Sequence, residues 1–367
     1  MFHHSSSALS RREFLAHTAI VAAGLGFAGA FPASSAHANR RDWSKEDFPE
    51  PEFIESNGIK MAVYHKGEGF PVVFSHGFPE LGYSWRYQLK ALADAGFHAI
   101  VPDQRGYGLT DRPDAIEAYD IHHLTGDLVG LLDHFGYEKA VYCGHDWGGA
   151  VVWNMGVLHP DRTAGIIGVN TGYLPRAPMD PIKMLAQMRG EGNYIVWFQE
   201  PGVADEYFMN DVENIFRVFM REGGMTAEEF NKLPADAPER NFDMRMILEA
   251  DVSALPGKLL MSDEELKYYV DTFTRTGFTG GMNWYRNITR NWETTEGVEQ
   301  RLKMPCLYVG AEDDVVLPPS MMQATAGLID DLEQHVIEDC GHWTQQEHPE
   351  ELNTILIGWL TKRFKNA

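Results

Sequence analysis

The chain has 367 residues, of which 44% are hydrophobic and 23% are charged, and its formal net charge at pH 7 is −22. This length and composition are typical of an ordinary globular protein with one enzyme-sized domain that carries an insertion, and they argue against a disordered or membrane-spanning chain. Such a negative surface repels phosphate backbones and anionic lipids, so nucleic acid and membrane surfaces are excluded as expected partners.

The N-terminal segment has the pattern of an export signal. Ser10–Leu15 reads Ser-Arg-Arg-Glu-Phe-Leu, and an apolar stretch rich in Ala and Gly follows it up to Phe31. Small residues at Ala36 and Ala38 then fit the cleavage site of a signal peptidase. We therefore predict that residues 1–38 are a twin-arginine signal peptide and that the mature protein is periplasmic or extracellular, with no membrane attachment after cleavage.

Short runs of β-branched and aromatic residues bounded by Gly and Pro predict strands along the remaining chain. Helical periodicity lies between several of these runs, for example at Ile121–Phe135 and Ala150–His159. Strands that alternate with helices indicate an α/β fold with a mostly parallel sheet flanked by helices. The predicted strands are Ile59–Lys66, Pro71–Ser75, Phe97–Pro102, Ala140–Cys143, Ala164–Val169, Pro305–Val309 and Gln334–Ile337.

The alternation of strands and helices is interrupted in the second half of the chain. The interrupting stretch is rich in Met, aromatic and acidic residues, and it shows helical periods at Asp211–Arg221 and Asp263–Thr274 without a clear strand pattern. We predict a helical cap inserted into the sheet domain, with a ligand pocket between the two. The predicted domains are 39–172 and 304–367 for the two parts of the sheet domain and 173–303 for the cap.

The strand at Ala140–Cys143 leads directly into a glycine-rich turn, Gly144–Gly149, and a helical pattern follows the turn. A strand, a sharp turn and a helix are the context of a nucleophile elbow, G-x-Nu-x-G, with Asp146 at the position where many hydrolases have Ser. The glycines are needed because the turn brings the backbone close to neighbouring elements. Taken alone, the motif also fits a glycine-rich turn with a capping Asp.

A carboxylate nucleophile restricts the chemistry of the site. A serine that attacked a saturated carbon would be left as an ether, which water does not readily cleave. A carboxylate that attacked the same carbon would form an ester, whose carbonyl a positioned water can attack. Asp146 therefore argues against esterase, lipase and peptidase activity and favours displacement at a saturated carbon.

Hydrolysis of such an ester needs a base and a carboxylate that orients the base. His342 follows the predicted strand Gln334–Ile337, and the acidic residues Glu312, Asp313 and Asp314 follow another predicted strand. The order of nucleophile, acid and base along the chain is that of the α/β-hydrolase fold.

The segment His76–Glu80 follows an apolar strand and reads His-Gly-Phe-Pro-Glu. A loop of this kind supplies one backbone N–H group of an oxyanion hole, here that of Phe78, and the residue after the nucleophile, Trp147, supplies the other. A tight turn that contains Pro is the alternative interpretation of the same segment.

With these motifs in place, the chain resembles the epoxide hydrolases of the α/β-hydrolase fold, in particular the soluble eukaryotic enzymes and related bacterial ones. The resemblance begins near Phe53 and continues to the C-terminus. It implies Asp146 as the nucleophile, His342 as the base and Asp314 as the orienting acid, with Asp313 as an alternative acid. The resemblance is densest in His76–Glu80, Gly144–Gly149, Trp197–Ala204, Met282–Trp292 and Asp339–Gln345.

The resemblance also implies that Tyr194 and Tyr285 are the two cap tyrosines of this family. Opening of an epoxide generates an alkoxide, which is a poor leaving group unless an O–H group is directed at it. Two phenols can bind the epoxide oxygen, and one of them can give it a proton. The residues that follow Tyr194, Ile195–Trp197, are more apolar than the family pattern, which predicts a reshaped pocket wall.

The expected reaction is the hydrolysis of a small hydrophobic epoxide by water to a vicinal diol, without a metal or an organic cofactor. Three cysteines without CxxC spacing argue against both a zinc site and a disulfide framework. A haloalkane dehalogenase would use the same Asp, His and acid, with Trp147 as a halide donor, but it has no need for paired tyrosines. A non-catalytic ligand-binding protein of this fold has no need for the complete set.

Overall fold

The structure, a computed structural model, describes residues 48–365 except 235, 236, 250 and 324. The predicted signal peptide, residues 1–38, lies outside the described residues. No helix in the described part of the chain combines the length and the apolar character that crossing a bilayer would require.

One eight-stranded sheet forms the centre of the described chain. Its strands are β1 (Glu52–Ser56), β2 (Ile59–Lys66), β3 (Phe70–Ser75), β4 (Phe97–Pro102), β5 (Ala140–His145), β6 (Thr163–Val169), β7 (Leu302–Ala311) and β8 (Ile329–Ile337). They lie in the order β1-β2-β4-β3-β5-β6-β7-β8. The six strands from β4 to β8 in this order run parallel, and β1 and β2 are antiparallel additions at one edge. The predicted mostly parallel sheet is confirmed.

Helices cover both faces of the sheet, as side-chain alternation along the strands requires. Val72 and Val141 face one apolar cluster, and the adjacent Val73 and Tyr142 face the other. The described α-helices are α1 (Arg86–Asp94), α2 (Ile121–Phe135), α3 (Trp147–Leu158), α4 (Pro181–Arg189), α5 (Tyr194–Trp197), α6 (Val203–Met209), α7 (Val212–Phe219), α8 (Ala227–Lys232), α9 (Met244–Leu248), α10 (Asp263–Thr276), α11 (Thr279–Arg286), α12 (Ile288–Thr294), α13 (Ser320–Gln323), α14 (Thr344–Glu347) and α15 (Pro349–Phe364). Helices α1 and α15 pack on the first face and α2 and α3 on the second.

Helices α4 to α12 all lie between β6 and β7 in the chain, so the predicted helical insertion is confirmed. The helical period predicted at Asp211–Arg221 is α7, and the period predicted at Asp263–Thr274 is α10. The insertion shares the apolar cluster of the second sheet face, to which it contributes Phe208 and Phe216. The domain limits themselves, 173–303 for the cap, stay a prediction.

The strands at the two edges of the sheet differ most from the sequence prediction. β1 was not predicted, and β8 begins at Ile329, five residues before the predicted start. The added part of β8 contains Asp330, Asp331 and Glu333, which an edge strand tolerates because its outer side faces solvent. Helix α3 begins at Trp147 and not at Ala150, because the glycines of the turn are themselves helical.

Candidate active site

Asp146 lies at the sharp turn between β5 and α3. Its φ of 53° and ψ of −124° are values that residues with side chains rarely adopt. Two glycines permit the turn, because a Cβ at Gly144 would collide with the carbonyl of Gly148, and a Cβ at Gly148 would collide with the carbonyl of Ser75. The structure thus shows the strand, turn and helix that the motif predicts around Asp146.

The loop after β3 brings a backbone amide to this carboxylate. The N–H of Phe78 donates to Oδ1 of Asp146 over 2.9 Å. Gly77 permits the approach, since a Cβ there would lie 2.5 Å from the same oxygen. Trp147 is the first residue of α3, where an amide N–H has no acceptor within the helix. Of the two predicted oxyanion-hole residues, Phe78 is therefore hydrogen-bonded to Asp146, and Trp147 directly follows it in the chain.

His342 lies in the loop between β8 and α14, and Asp314 lies in the loop after β7. Nδ1 of His342 is 2.9 Å from Oδ2 of Asp314, which also accepts a hydrogen bond from Nδ2 of Asn170 over 2.8 Å. Oδ1 of Asp314 accepts the amides of Val316 and Leu317, each over 2.9 Å. Four donors therefore hold this buried carboxylate, which fixes the orientation of the imidazole ring.

The electrostatics of the pair follow from its burial and its charges. Burial acts to raise the pKa of Asp314, but His342 and the Asn170 amide outweigh burial and lower that pKa to about 2. Burial acts to lower the pKa of His342, but the carboxylates of Asp314 and Asp146 outweigh it and raise that pKa to about 9. At neutral pH the pair is thus an imidazolium and a carboxylate. Neutralisation of Asp146 would remove one of these negative charges and would therefore lower the pKa of His342.

Asp313, the alternative acid, has a different partner. One of its carboxylate oxygens accepts the N–H of Ala227, the first residue of α8, over 3.0 Å. This bond connects the loop after β7 with the cap. The structure therefore brings Asp314, and not Asp313, to His342.

The two cap tyrosines lie together above the elbow. The rings of Tyr194, in α5, and Tyr285, in α11, have centroids 5.8 Å apart. The Tyr285 ring packs edge-on against Trp147 and Phe78, with centroid distances of 5.0 Å and 5.4 Å. Burial raises the pKa of both phenols far above the ordinary tyrosine value, and the charge of Asp146 raises each further. Both hydroxyls therefore stay protonated and available as donors.

Comparison with known proteins identifies the family. The alpha/beta hydrolase fold family matches residues 71–349. Epoxide hydrolase A of Mycobacterium tuberculosis is 44% identical, over 85% of this chain and 98% of that protein. The crystal structure of epoxide hydrolase A from Mycobacterium thermoresistibile has a TM-score of 0.73 and 42% identity, over 85% of this chain and 98% of that one. The chain belongs to the epoxide hydrolases of the α/β-hydrolase fold.

Mammalian members of the family are longer than this epoxide hydrolase. Bifunctional epoxide hydrolase 2 of Mus musculus is 37% identical over 84% of this chain, but the match covers only 55% of the mouse protein. The similarity to that enzyme therefore concerns about half of its length.

Gln199 connects the two tyrosine helices of this epoxide hydrolase. Its Nε2 donates to the carbonyl of Ile195 over 2.9 Å and to the carbonyl of Tyr285 over 3.0 Å. Helix α11 is also fixed to the sheet domain, because the indole N–H of Trp284 donates to the carbonyl of Arg105 over 3.2 Å. These bonds fix α5 and α11, and with them the two phenols, relative to the sheet domain.

Sequence reasoning missed three polar residues that support the site. Asn170 bonds to Asp314, as described above, and Gln199 joins the tyrosine helices. Nε2 of His145 is 2.7 Å from the carbonyl of His342, and Nδ1 of His145 is 3.4 Å from the buried carboxylate of Glu80. Asn170 directly follows β6 at the sheet edge where Asp146 lies, and this strand-end position was a signal that could have found it.

The described residues of this epoxide hydrolase contain no group of three or more His, Cys, Asp or Glu side chains that could hold a metal ion. The three cysteines, Cys143, Cys306 and Cys340, are buried and are not paired with one another. Burial raises the pKa of each thiol above its ordinary value, so these side chains stay in the unreactive thiol form.

Proposed function

We propose that this epoxide hydrolase converts a small hydrophobic epoxide and water into a vicinal diol through an ester on Asp146. The observation that supports this assignment most strongly is the hydrogen bond from the Phe78 amide to Oδ1 of Asp146. It presents a carboxylate at the strained elbow with one oxygen bound, which leaves Oδ2 to attack. The similarity of this chain to epoxide hydrolase A of Mycobacterium tuberculosis supports the same reaction.

In the first half-reaction, Oδ2 of Asp146 forms a bond to one epoxide carbon as the bond from that carbon to the ring oxygen breaks. The ring oxygen takes the electron pair and receives a proton from Tyr194 or Tyr285. The product is a neutral hydroxyalkyl ester. The pKa of His342 falls as the negative charge is lost, and the proton that His342 releases restores the phenol.

In the second half-reaction, the neutral His342 accepts a proton from a water molecule whose oxygen attacks Cγ of the ester. Oδ1 becomes the oxyanion, and it is already in contact with the amide that stabilises it, that of Phe78. Collapse breaks the ester bond, and the departing diol oxygen takes the proton left on the new carboxyl group. Asp146 is again a carboxylate, and His342 is again an imidazolium.

Replacement of both tyrosines, Tyr194→Phe with Tyr285→Phe, is expected to slow ester formation by about 10²- to 10⁴-fold, because the developing alkoxide loses both O–H donors. The fold should persist, since the rings and their packing remain. The rate is measured by rapid quenching and mass spectrometry of the enzyme ester with styrene oxide.

The matched control is Tyr207→Phe, which removes a cap hydroxyl whose contacts are the Arg245 carbonyl and Glu249, both at 3.4 Å. Its rate should equal that of the parent enzyme. Normal ring opening in the double variant would contradict the assigned donors.

Halide release from a haloalkane by the parent enzyme, at a rate above that of epoxide opening, would favour the dehalogenase alternative. The paired tyrosines, whose ring centroids are 5.8 Å apart, weigh against that alternative, because a halide leaves without a proton.

We also propose that residues 1–38 direct export by the twin-arginine route. Support comes from the arginine pair, the apolar stretch that follows it and the small residues at Ala36 and Ala38. Arg11→Lys with Arg12→Lys should leave the protein uncleaved in the cytoplasm, whereas the parent protein should be recovered from the periplasm with Asn39 as its first residue. Recovery of the parent from the periplasm beginning at Met1 would refute cleavage, and equal export of both proteins would refute the route.

A further inference from the structure

Three backbone amides near the base converge on one carboxylate, that of Glu347. Its Oε1 accepts the N–H of Trp343 over 2.8 Å, and its Oε2 accepts the N–H of Gly341 over 3.1 Å. These two residues flank His342 on either side. The third amide belongs to Gly223, between α7 and α8 of the cap, and donates to Oε2 over 3.3 Å.

The carboxylate of Glu347 fits closely against the loop that it holds. A Cβ at position 341 would lie 3.1 Å from each carboxylate oxygen, so a side chain there would have to displace the carboxylate by a few tenths of an ångström. Burial raises the pKa of Glu347, while the amides of Trp343, Gly341 and Gly223 act to lower it. Because its two oxygens accept the amides before and after His342, Glu347 fixes the backbone of His342 more firmly than a single hydrogen bond would.

The same cap segment, residues 219–227, makes two more contacts beside the catalytic groups. The indole N–H of Trp343 donates to the carbonyl of Phe219 over 2.6 Å. The N–H of Ala227 donates to Asp313, the neighbour of Asp314, over 3.0 Å. One short piece of the cap is therefore bonded to residues adjacent to both the base and its acid.

We infer that Glu347 is a positioning residue of the second half-reaction. It holds the backbone on both sides of His342, which sets where the imidazole stands between Asp314 and the ester carbonyl, and its bond to Gly223 makes this placement depend on the cap. Ring opening needs Asp146 and the phenols, so it does not depend on this clamp. The inference rests on the proposed roles of Asp146 and His342.

Glu347→Gln tests the clamp with little change of shape. A carboxamide has one oxygen acceptor, and its NH₂ group cannot accept from the second flanking amide. Ester formation should stay within about twofold of the parent rate, while ester hydrolysis should fall by about 10- to 100-fold, because a small displacement of the base is costly. Both rates come from one single-turnover experiment with styrene oxide, in which the enzyme ester is followed by mass spectrometry.

Two further variants sharpen the comparison. Glu347→Asp keeps the charge but shortens the side chain, so its hydrolysis rate should lie between those of the parent and Glu347→Gln. Glu350→Gln, in the exposed first turn of α15, should change neither rate. Equal slowing of both steps by Glu347→Gln, or an unchanged hydrolysis rate, would overturn the inference.

The outcomes remain separable if a variant is unstable or if the proposed function is wrong. Should Glu347→Gln fail to fold, unchanged hydrolysis in Glu347→Asp would overturn the inference in its place. Absence of an ester in the parent enzyme would overturn the proposed function together with the inference. An ester that forms normally and is hydrolysed at the parental rate in the Glu347 variants would overturn the role of Glu347 alone.

Discussion

Asp146→Ala is expected to lower diol formation by about 10⁴-fold or more, since removal of a covalent nucleophile has an effect of this size in other hydrolases. The loss is large because, in the proposed reaction, Oδ2 of Asp146 is the atom that forms the bond to the epoxide carbon. Diol production from styrene oxide is measured with the purified variant, and its thermal unfolding is compared with that of the parent to show that the fold is retained.

Asp161→Ala removes an exposed carboxylate after α3 and is the matched control, with parental activity expected. Labelled water gives an independent check on the nucleophile. Single-turnover hydrolysis in heavy-oxygen water should place the label in the Asp146 carboxylate, because water attacks Cγ and not the epoxide carbon. Label found only in the diol, or substantial turnover by Asp146→Ala, would refute the covalent route.

His342→Gln is expected to trap the ester. Gln occupies similar space but cannot accept a proton from water, so ester formation proceeds while its hydrolysis falls by about 10⁴-fold or more. Intact-protein mass spectrometry should show one equivalent of added epoxide mass, located on the peptide that contains Asp146.

His122→Gln changes an exposed histidine of α2 and should not accumulate an ester. In the parent enzyme, ester hydrolysis should accelerate as pH rises through the pKa of His342, because only the neutral imidazole acts as a base. In the enzyme without substrate, Asp314 and Asp146 raise the pKa of His342 to about 9. The midpoint for ester hydrolysis should lie below that value, because the ester has lost the charge of Asp146. Multiple turnover by His342→Gln without a trapped ester would contradict the assignment.

Local patterns made much of the fold and the sharp turn at Asp146 predictable. Parallel strands such as β5 are buried on both faces and appear as continuous apolar runs, and the elbow around Asp146 needs glycines at fixed spacing. The strand β1 and the first half of β8 escaped prediction because edge strands carry polar residues. Tyr194 and Tyr285 were identified only through family resemblance, since no spacing rule separates them from tyrosines that pack in a core.

Contacts between distant parts of the chain were not predictable from patterns. Asp313 and Asp314 are adjacent and chemically identical, and the backbone turn after β7 decides which of them faces His342. Asn170, Gln199 and Glu347 act through bonds to groups that are near only in the folded chain. The contribution of these three residues depends on interatomic distances in the folded protein, which a single sequence does not contain.

The proposed reacting groups are divided between two parts of the chain. The insertion between β6 and β7 contains Tyr194 and Tyr285, whereas the loops at the sheet edge contain Asp146 and His342. Replacement of α5 and α11 by the helices of another family member would therefore keep the carboxylate that forms and loses the ester. It would change the electrophiles with which that carboxylate reacts. Substrates whose leaving groups depart without a proton would then compete with epoxides. This fold could therefore acquire new reactions through changes in two helices, while the groups that hydrolyse the ester stay the same.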